Sequence, residues 1–372
     1  MLYSSSSLVV FCEPRLCREG TINNAMNEIL ESYASQVSSV LCIAPGAADP
    51  FSVGDLNFFG VPSYSKEKRY MFRDFWKIRR FVKKVISQNQ GAIYQFRLPS
   101  LFSLQIYIMC ADLFRNEKVS FYLAGDWFES LISNYPNKRF LSKILEKVQS
   151  QVLKNGIVVF TGDVLYEKHR NIVKSGHVFY STTHKASDVL DVDTFEKRKK
   201  NGICFIGTLD KRKNPDYMIR LANHNFTKIK KFHILGDGKL YSDIKERAGG
   251  NVVIHGHISD REKFYNILSE CKYFVLPSYT EGTSKTLPEV MSKGLIPIAF
   301  KGVGSNDYII NGSNGVLVEV DCVEEAVDAI NKIDADDELY SGYLASAQTY
   351  AKSRCMEVEI KKVFEFLYQS FR

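Results

Sequence analysis

Two carboxylates near the C-terminal third of the chain, Glu281 and Glu289, have seven residues between them in "SYTEGTSKTLPEVMSKG". Between them lie Gly282, Thr283, Ser284 and Lys285, and then Pro288. The stretch follows the apolar run "YFVLP", which reads as a buried strand. Pro288 lacks an N–H and fixes φ, so it fits only the first turn of a helix, and a helix is expected from about Thr286. The amides of residues 282–284 would then converge at that helix start, an arrangement suited to phosphate. Acids on both sides of a phosphate make sense as acceptors for hydroxyl protons, one on a sugar and one on a ribose. Eight residues of chain reach at most about 26 Å, enough to bracket a nucleotide diphosphate sugar.

Three further stretches carry the same chemistry. "FIGTLDKRKNPDYM" puts Gly207 and Thr208 in a turn after a strand, with Lys211, Arg212 and Lys213 following as a basic cluster. "ILGDGKLYSDI" places Gly236 in a strand-to-helix turn, where Asp237 is read as turn chemistry. "VVIHGHISDREKF" offers the backbone at His257 and Ile258 to a base. His233 alternates inside a strand and reads as structural.

These motifs need elements to hold them. Short apolar runs alternate with amphipathic stretches along the 372 residues. Six runs fall in the first half (8–12, 40–44, 92–96, 119–123, 156–160, 177–181) and six in the second (203–207, 232–236, 252–256, 273–277, 296–300, 315–319). Helical patterns cover 23–36, 73–87, 103–114, 139–154, 214–223, 261–271 and 286–293. Alternation of this kind argues for α/β parallel sheets. Twelve strands are too many for one sheet, so two Rossmann-like domains are expected, 1–183 and 184–355. The polar segment 184–201 reads as the linker, and 356–372 as a closing helix that packs back on the first domain. Ligands of such folds bind at the carboxyl ends of strands, where all four stretches lie.

In this order and at these separations, the motifs from Ile203 to Glu319 resemble retaining glycosyltransferases of family 4, within the group 1 type. The first half is similar only in its strand–helix rhythm. The resemblance implies the GT-B fold, with the two domains facing each other across an interdomain cleft, the first binding acceptor and the second binding donor. It implies transfer of a hexosyl or N-acetylhexosaminyl group from a UDP-, GDP- or similar nucleotide sugar to a hydroxyl of a glycan or lipid-linked oligosaccharide. Neither metal nor cofactor is implied. The setting implied is bacterial surface polysaccharide synthesis.

Residue by residue, the resemblance gives Lys213 to the diphosphate and Glu281 to the transferred sugar. Gly282 to Lys285 go to the sugar and phosphate, Glu289 to the ribose, and the 256–258 loop to the base. Relatives often carry Arg directly after the first glycine; here that position is Thr208, and Arg212 or Lys211 is expected to supply the charge. The family's His–Asp of the first domain corresponds to "YLAGDWFES", where Gly125 precedes Asp126, so Asp126 is the catalytic candidate without its His. The acceptor loop would be "EPRLCREGTINN", with Arg15, Arg18 and Gly20. Two alternatives stand beside this reading: a nucleotide-sugar epimerase of the same fold, and a non-catalytic sugar-nucleotide-binding subunit.

Composition bounds the setting. Apolar residues make up 45% and charged residues 24%, an ordinary globular balance. The eight cysteines show no C-x-x-C or zinc spacing and are expected to be reduced. The N-terminus lacks the pattern of a secretory signal, and no run reaches the length of a membrane span. The chain is therefore expected on the cytoplasmic side, peripheral on the inner face of the plasma membrane. Residues 64–90 hold nine Lys and Arg against two acids, interleaved with aromatic residues, and are read as a surface for anionic lipid. No nucleic-acid motif accompanies them, so nucleic acid is not expected as a partner.

Overall fold

The computed structural model describes residues 3–13, 16–17, 20–21, 24–45, 50–61, 74–127, 136–190, 200–281, 284–303 and 308–372. The chain forms two compact units, Met1–Tyr180 with Glu359–Arg372, and Ser181–Val358.

Unit 1 contains β1 (Tyr3–Phe11), a small hairpin β2 (Leu16–Cys17) and β3 (Gly20–Thr21), α1 (Asn24–Ala34), β4 (Val37–Pro45), β5 (Phe51–Val53) and β6 (Leu56–Val61). There follow α2 (Phe75–Gln88), β7 (Ile93–Leu98), α3 (Leu101–Cys110), β8 (Lys118–Leu123), α4 (Arg139–Leu153), β9 (Ile157–Thr161), α5 (Asp163–His169) and β10 (Ser175–Phe179). Its main sheet runs β10-β9-β8-β7-β1-β4-β6-β5. The neighbours are parallel except β5, which pairs antiparallel with β6. β9, "IVVFT", is buried at every position, which is why it reads as a continuous apolar run rather than an alternating one.

The β5–β6 hairpin is missing from the sequence-based strand set. Val53 pairs with Leu56, so the turn is Gly54–Asp55, and Gly54 has φ +55°. A two-residue turn led by glycine is a hairpin signal that was there to be read.

Unit 2 contains β11 (Gly202–Ile206), α6 (Asp216–Ala222), β12 (Lys231–Leu235), α7 (Tyr241–Arg247), β13 (Val252–Gly256), α8 (Arg261–Ser269) and β14 (Cys271–Leu276). It continues with α9 (Thr286–Ser292), β15 (Ile296–Phe300), β16 (Val316–Val318), α10 (Val323–Ala335) and α11 (Asp337–Ser353). The sheet runs β13-β12-β11-β14-β15-β16, all parallel. A buried ion pair, Lys272 with Asp334, ties β14 to α10, and Tyr273 donates its hydroxyl to the same carboxylate at 2.9 Å.

The units divide after Tyr180 and after Val358, not after 183 and 355. His184 explains the first shift. It is fully buried in unit 2 and its Nε2 lies 2.9 Å from the carbonyl oxygen of Ala351. The expected linker is also corrected in its first part. Leu190 donates its N–H to Ser292 O at 3.0 Å, so His184–Leu190 runs along unit 2 rather than free of it. Residues 191–199 lie outside the described residues.

The last helix, α12 (Met356–Ser370), contributes its end to unit 1. Phe364 meets the Tyr33 ring edge-on at 5.5 Å, and the buried Glu359 accepts the Tyr180 N–H at 3.0 Å. Among the described residues, no helix is long and apolar enough to cross a membrane.

Candidate functional site

Three adjacent strands of unit 2 end together, and their loops build one wall. Gly207 N donates to Leu235 O at 3.0 Å, and Gly236 N to Gly256 O at 2.8 Å. Leu209 N donates to Asp237 O at 3.0 Å. This closeness depends on glycine. Gly236 has φ +143°, and a Cβ there would lie 1.9 Å from Gly207 O. A backbone pressed this near another backbone leaves no room for any side chain.

The wall borders a cavity of about 510 Å³, lined by Gly207, Thr208, Gly236, Asp237, His257 and Ile258 among others. That volume lies within the range of small-molecule sites. Four of the expected donor contacts, Gly207, Thr208, Gly236 and the His257–Ile258 loop, are thus brought together.

A second wall comes from the loop after β11. Asp210 Oδ1 accepts the Lys213 N–H at 2.8 Å, and Asn214 takes a left-handed conformation, φ +51°. The Asn214 side chain donates to Asp321 at 3.1 Å. This tight turn lays the Lys213 side chain beside Gly207, whose Cβ, were one present, would sit 3.7 Å from Lys213 Cδ. Its ammonium ends on Glu281, as an ion pair and hydrogen bond. The two side chains are 17% and 7% exposed, so the pair is largely shielded from water.

The two loops are stitched by backbone as well. Tyr279 N donates to Arg212 O at 2.9 Å, and the Arg212 guanidinium to Thr280 O at 3.2 Å. Arg212 therefore helps hold the loop that carries Glu281, while Lys211 is exposed.

Glu289 lies in the first turn of α9, where Leu287, Pro288, Val290 and Met291 are buried and anchor the helix. Its Oε1 is 3.8 Å from Arg261, the first residue of α8. The start of α8 is fixed by Asp260, which accepts from Glu262 N and Lys263 N at 2.9 and 3.1 Å. Arg261 in turn donates to the Tyr265 hydroxyl at 2.9 Å. Lys293 lies over the Tyr265 ring at 4.1 Å and donates to Asp188 O at 2.7 Å. Burial pushes the Lys293 ammonium below its usual range, and burial followed by the charge of Glu289 pushes the Tyr265 phenol up.

Arg261 links the expected ribose acid to the loop expected to hold the base, and sequence reasoning missed it. The signal was its position, three residues after Ile258 and directly after an Asp cap.

Ser284 is buried and Lys285 occupies the cap position of α9. Gly282 and Thr283 lie outside the described residues, as do Arg15 and Arg18. Gly20 sits in β3, paired with Cys17.

Asp126 belongs to unit 1 and is only 8% exposed. Its Oδ2 accepts from Lys168 at 2.8 Å, and its Oδ1 lies 3.4 Å from His169 Nε2. Lys168 also bonds Glu146 of α4. Burial pushes the Asp126 carboxyl up. The hydrogen bonds from His169 and Lys168, with the Lys168 charge, outweigh this and hold it below the ordinary carboxylate range. Both oxygens are engaged by residues of α5, and Lys168 extends the network to Glu146 of α4, so Asp126 ties the loop after β8 to these helices.

The basic stretch 64–90 is described only from Asp74 onward. In α2, Ile78, Phe81, Val82 and Val85 are buried while Lys77, Arg80, Lys83 and Lys84 face solvent. Arg79 is spent on α3, donating to Met109 O at 2.7 Å and to Asp112. Among the described residues, no group of three or more His, Cys, Asp or Glu could hold a metal ion.

Residues 188–349 match the family model for glycosyl transferases group 1. That segment, less than half of the chain, is similar to the group 1 glycosyl transferases. The "UDP-Gal:alpha-D-GlcNAc-diphosphoundecaprenol alpha-1,3-galactosyltransferase" of Escherichia coli is 29% identical over 147 residues, 37% of this chain and 38% of that protein. The "GalNAc-alpha-(1->4)-GalNAc-alpha-(1->3)-diNAcBac-PP-undecaprenol alpha-1,4-N-acetyl-D-galactosaminyltransferase" of Campylobacter jejuni is 26% identical over 246 residues, 63% of this chain and 66% of that protein. Each alignment spans less than two thirds of the relative's own length.

Among solved structures, Anabaena Alr3699/HepE in complex with UDP is similar with a TM-score of 0.72 and 12% identity, covering 97% of this chain and 100% of the other. At that identity the likeness fixes the fold alone, the GT-B class. The group 1 segment contains the Gly207–Gly236 wall, the Lys213–Glu281 pair and the Glu289–Arg261 pair of the site described above.

Proposed function

We propose that the chain is a retaining glycosyltransferase of family 4. It moves a hexosyl or N-acetylhexosaminyl group from a nucleotide diphosphate sugar to a hydroxyl of a glycan or lipid-linked oligosaccharide. The observation that carries this reading is the shielded Lys213–Glu281 pair beside a glycine-walled cavity. A diphosphate needs a cation close to a backbone that can approach it, and Lys213 beside Gly207 offers both. Glu281, at the same point, is an acceptor for sugar hydroxyls. Glu289, steadied by Arg261, takes the ribose, and the backbone at His257 and Ile258 takes the base.

Departure of the nucleoside diphosphate concentrates charge on its phosphate oxygens. A preorganised ammonium in a site of low water content stabilises that charge without rearranging at the moment of bond breaking. In this reading Lys213 supplies the counter-charge and no cofactor beyond the donor is required. The acceptor hydroxyl enters on the face the leaving group vacates, and a departing phosphate oxygen takes its proton.

The names of the E. coli and C. jejuni relatives support a lipid diphosphate acceptor, and with it surface polysaccharide synthesis at the cytoplasmic face of a bacterial membrane. A thermal-shift panel of UDP, GDP and their sugars tests the donor, since a ligand that binds only the folded state raises its midpoint. The reading expects one base to stand out. Incubation of that donor with lipid-diphosphate saccharides then tests transfer. No shift with any nucleoside diphosphate would end the reading, and interconversion of the donor without an acceptor would make the protein an epimerase.

A further inference from the structure

The exposed apolar side chains of unit 1 are not scattered. Among the described residues, the large ones are Trp76, Ile108, Phe140, Leu141, Ile144 and Val164. All lie on α2, α3, α4 or α5, the helices that share one buried cluster on a single face of the sheet. Phe140 is 79% exposed and Trp76 76%.

Five of the six lie in the first two turns of their helices: Trp76 in α2, Phe140, Leu141 and Ile144 in α4, and Val164 in α5. Each of these helices follows a parallel strand, β6, β8 or β9. A helix that returns over a parallel sheet begins where its strand ends. The five side chains therefore gather toward the carboxyl edge of the sheet, the edge where ligands of such folds bind.

α4 carries the densest part. Ser142, Gln149 and Leu153 are buried and define its inner face. Phe140 and Ile144, one turn apart, share the outer face, with Leu141 beside them. Lys138, Arg139, Lys143 and Lys147 are all exposed around this apolar tip. The one acid of the helix, Glu146, is taken by Lys168. On α2, Lys77 and Arg80 stand exposed near Trp76.

The charge of the chain follows the same division. Unit 1 holds 25 Lys and Arg against 17 Asp and Glu, while unit 2 holds 24 against 25. Unit 1, which carries the apolar tip, is therefore +8, and unit 2 is −1.

We propose that the N-terminal turns of α4, with Trp76 of α2, form a docking surface for an anionic phospholipid membrane. Phe140, Leu141 and Ile144 enter the headgroup region, and Lys138, Arg139, Lys143 and Lys147 meet the lipid phosphates. An apolar tip with a basic collar fits a surface that is apolar below and negatively charged above. A nucleic acid would use the charge and leave Phe140 in water. The surface shares Trp76 with the one expected from residues 64–90, but its apolar centre lies on α4. It stands apart from the donor-site reading, because lipid binding is measured without turnover.

Vesicle sedimentation decides it, comparing phosphatidylcholine alone with phosphatidylcholine plus phosphatidylglycerol. The wild type should partition onto the anionic vesicles and much less onto the neutral ones. F140S/I144S and K143E/K147E should each lower that partition about tenfold while leaving the thermal midpoint unchanged, since all four side chains are exposed. Added salt should weaken wild-type binding, as screening reaches the collar. Equal partition onto both vesicles, no partition at all, or both double variants binding like wild type would overturn the proposal. So would tighter binding to polyuridylate than to anionic vesicles in the same buffer.

Discussion

Lys213 and Glu281 hold each other, so the two substitutions that break the pair should move nucleotide binding in opposite directions. Lys213→Met removes a cation that would make a charge-assisted bond to the diphosphate. Such bonds contribute about 1.5–3 kcal/mol, so nucleoside diphosphate affinity should fall roughly 10- to 100-fold. Glu281→Gln removes the carboxylate that competes with the phosphate for the same ammonium. Opposite charges about 4 Å apart attract by about 4 kcal/mol at the effective dielectric suited to sites near a surface. Most of that is offset by the desolvation the pair has already undergone, leaving about 1 kcal/mol, and affinity should rise about fivefold.

Turnover should fall in both variants by about 10²-fold or more, because each loses a contact made to the departing diphosphate or to the sugar. Titration calorimetry with the base chosen by the thermal-shift panel reads the first effect, and initial rates read the second. If Glu281→Gln weakens nucleotide binding as Lys213→Met does, the pair is a brace between two loops, and the competition argument is wrong. Retention of near-normal kcat by Lys213→Met would remove that lysine from the chemistry.

Other perturbations test the surrounding structure. Gly236→Ala would force a methyl to 1.9 Å from Gly207 O, so the two loops must part; nucleotide binding should be lost and the urea midpoint should drop. Asp126→Ala strands the buried His169 and releases Lys168; stability should fall by about 1–3 kcal/mol while kcat stays within about threefold of wild type, and a kcat collapse in a folded variant would restore a catalytic role. His233 and His255 stack with their rings 5.3 Å apart and Nδ1 3.0 Å from Nε2. Burial lowers both, helped in His233 by the charge of His255 and in His255 by that of Lys263, with Glu270 opposing in each. The unfolded chain then binds more protons below its ordinary histidine value of 6.5, so stability should be full above that pH and decline as pH falls beneath it. Urea midpoints measured across that window should show a shallower decline in His255→Gln.

The elements that carry the site were legible because their physics is local. A buried parallel strand must be apolar throughout, so "ICFIG", "FHILG" and "YFVLP" could be read directly, and Pro288 could only begin a helix. Glycine in the turn that follows a strand is equally local in its cause, and Gly207 and Gly236 stood out for that reason; that their two backbones touch was not legible. Two kinds of feature were hidden. Arg261 lies in sequence next to a recognised loop, yet its value comes from Glu289, which the chain reaches only after another strand. Asp126 read as a catalytic candidate because the resemblance sets it where the family's His–Asp would stand; its partners Lys168 and His169 are brought to it by α5.

By itself the sequence determined the alternation of strand and helix, the placement of four chemically suggestive loops at strand ends, and the two acids on either side of a loop that leads into a helix with proline in its first turn. Tertiary structure alone decided which charges meet. Lys213 and Glu281 are 68 residues apart, and they pair because β11 and β14 are neighbours in one sheet. It also decided which side of α4 is covered, and so that Phe140, Leu141 and Ile144 face water. Periodicity reveals that a helix has two faces. Only packing shows whether an apolar residue has found a partner, because burial is a property of what lies across from a side chain and not of its neighbours along the chain.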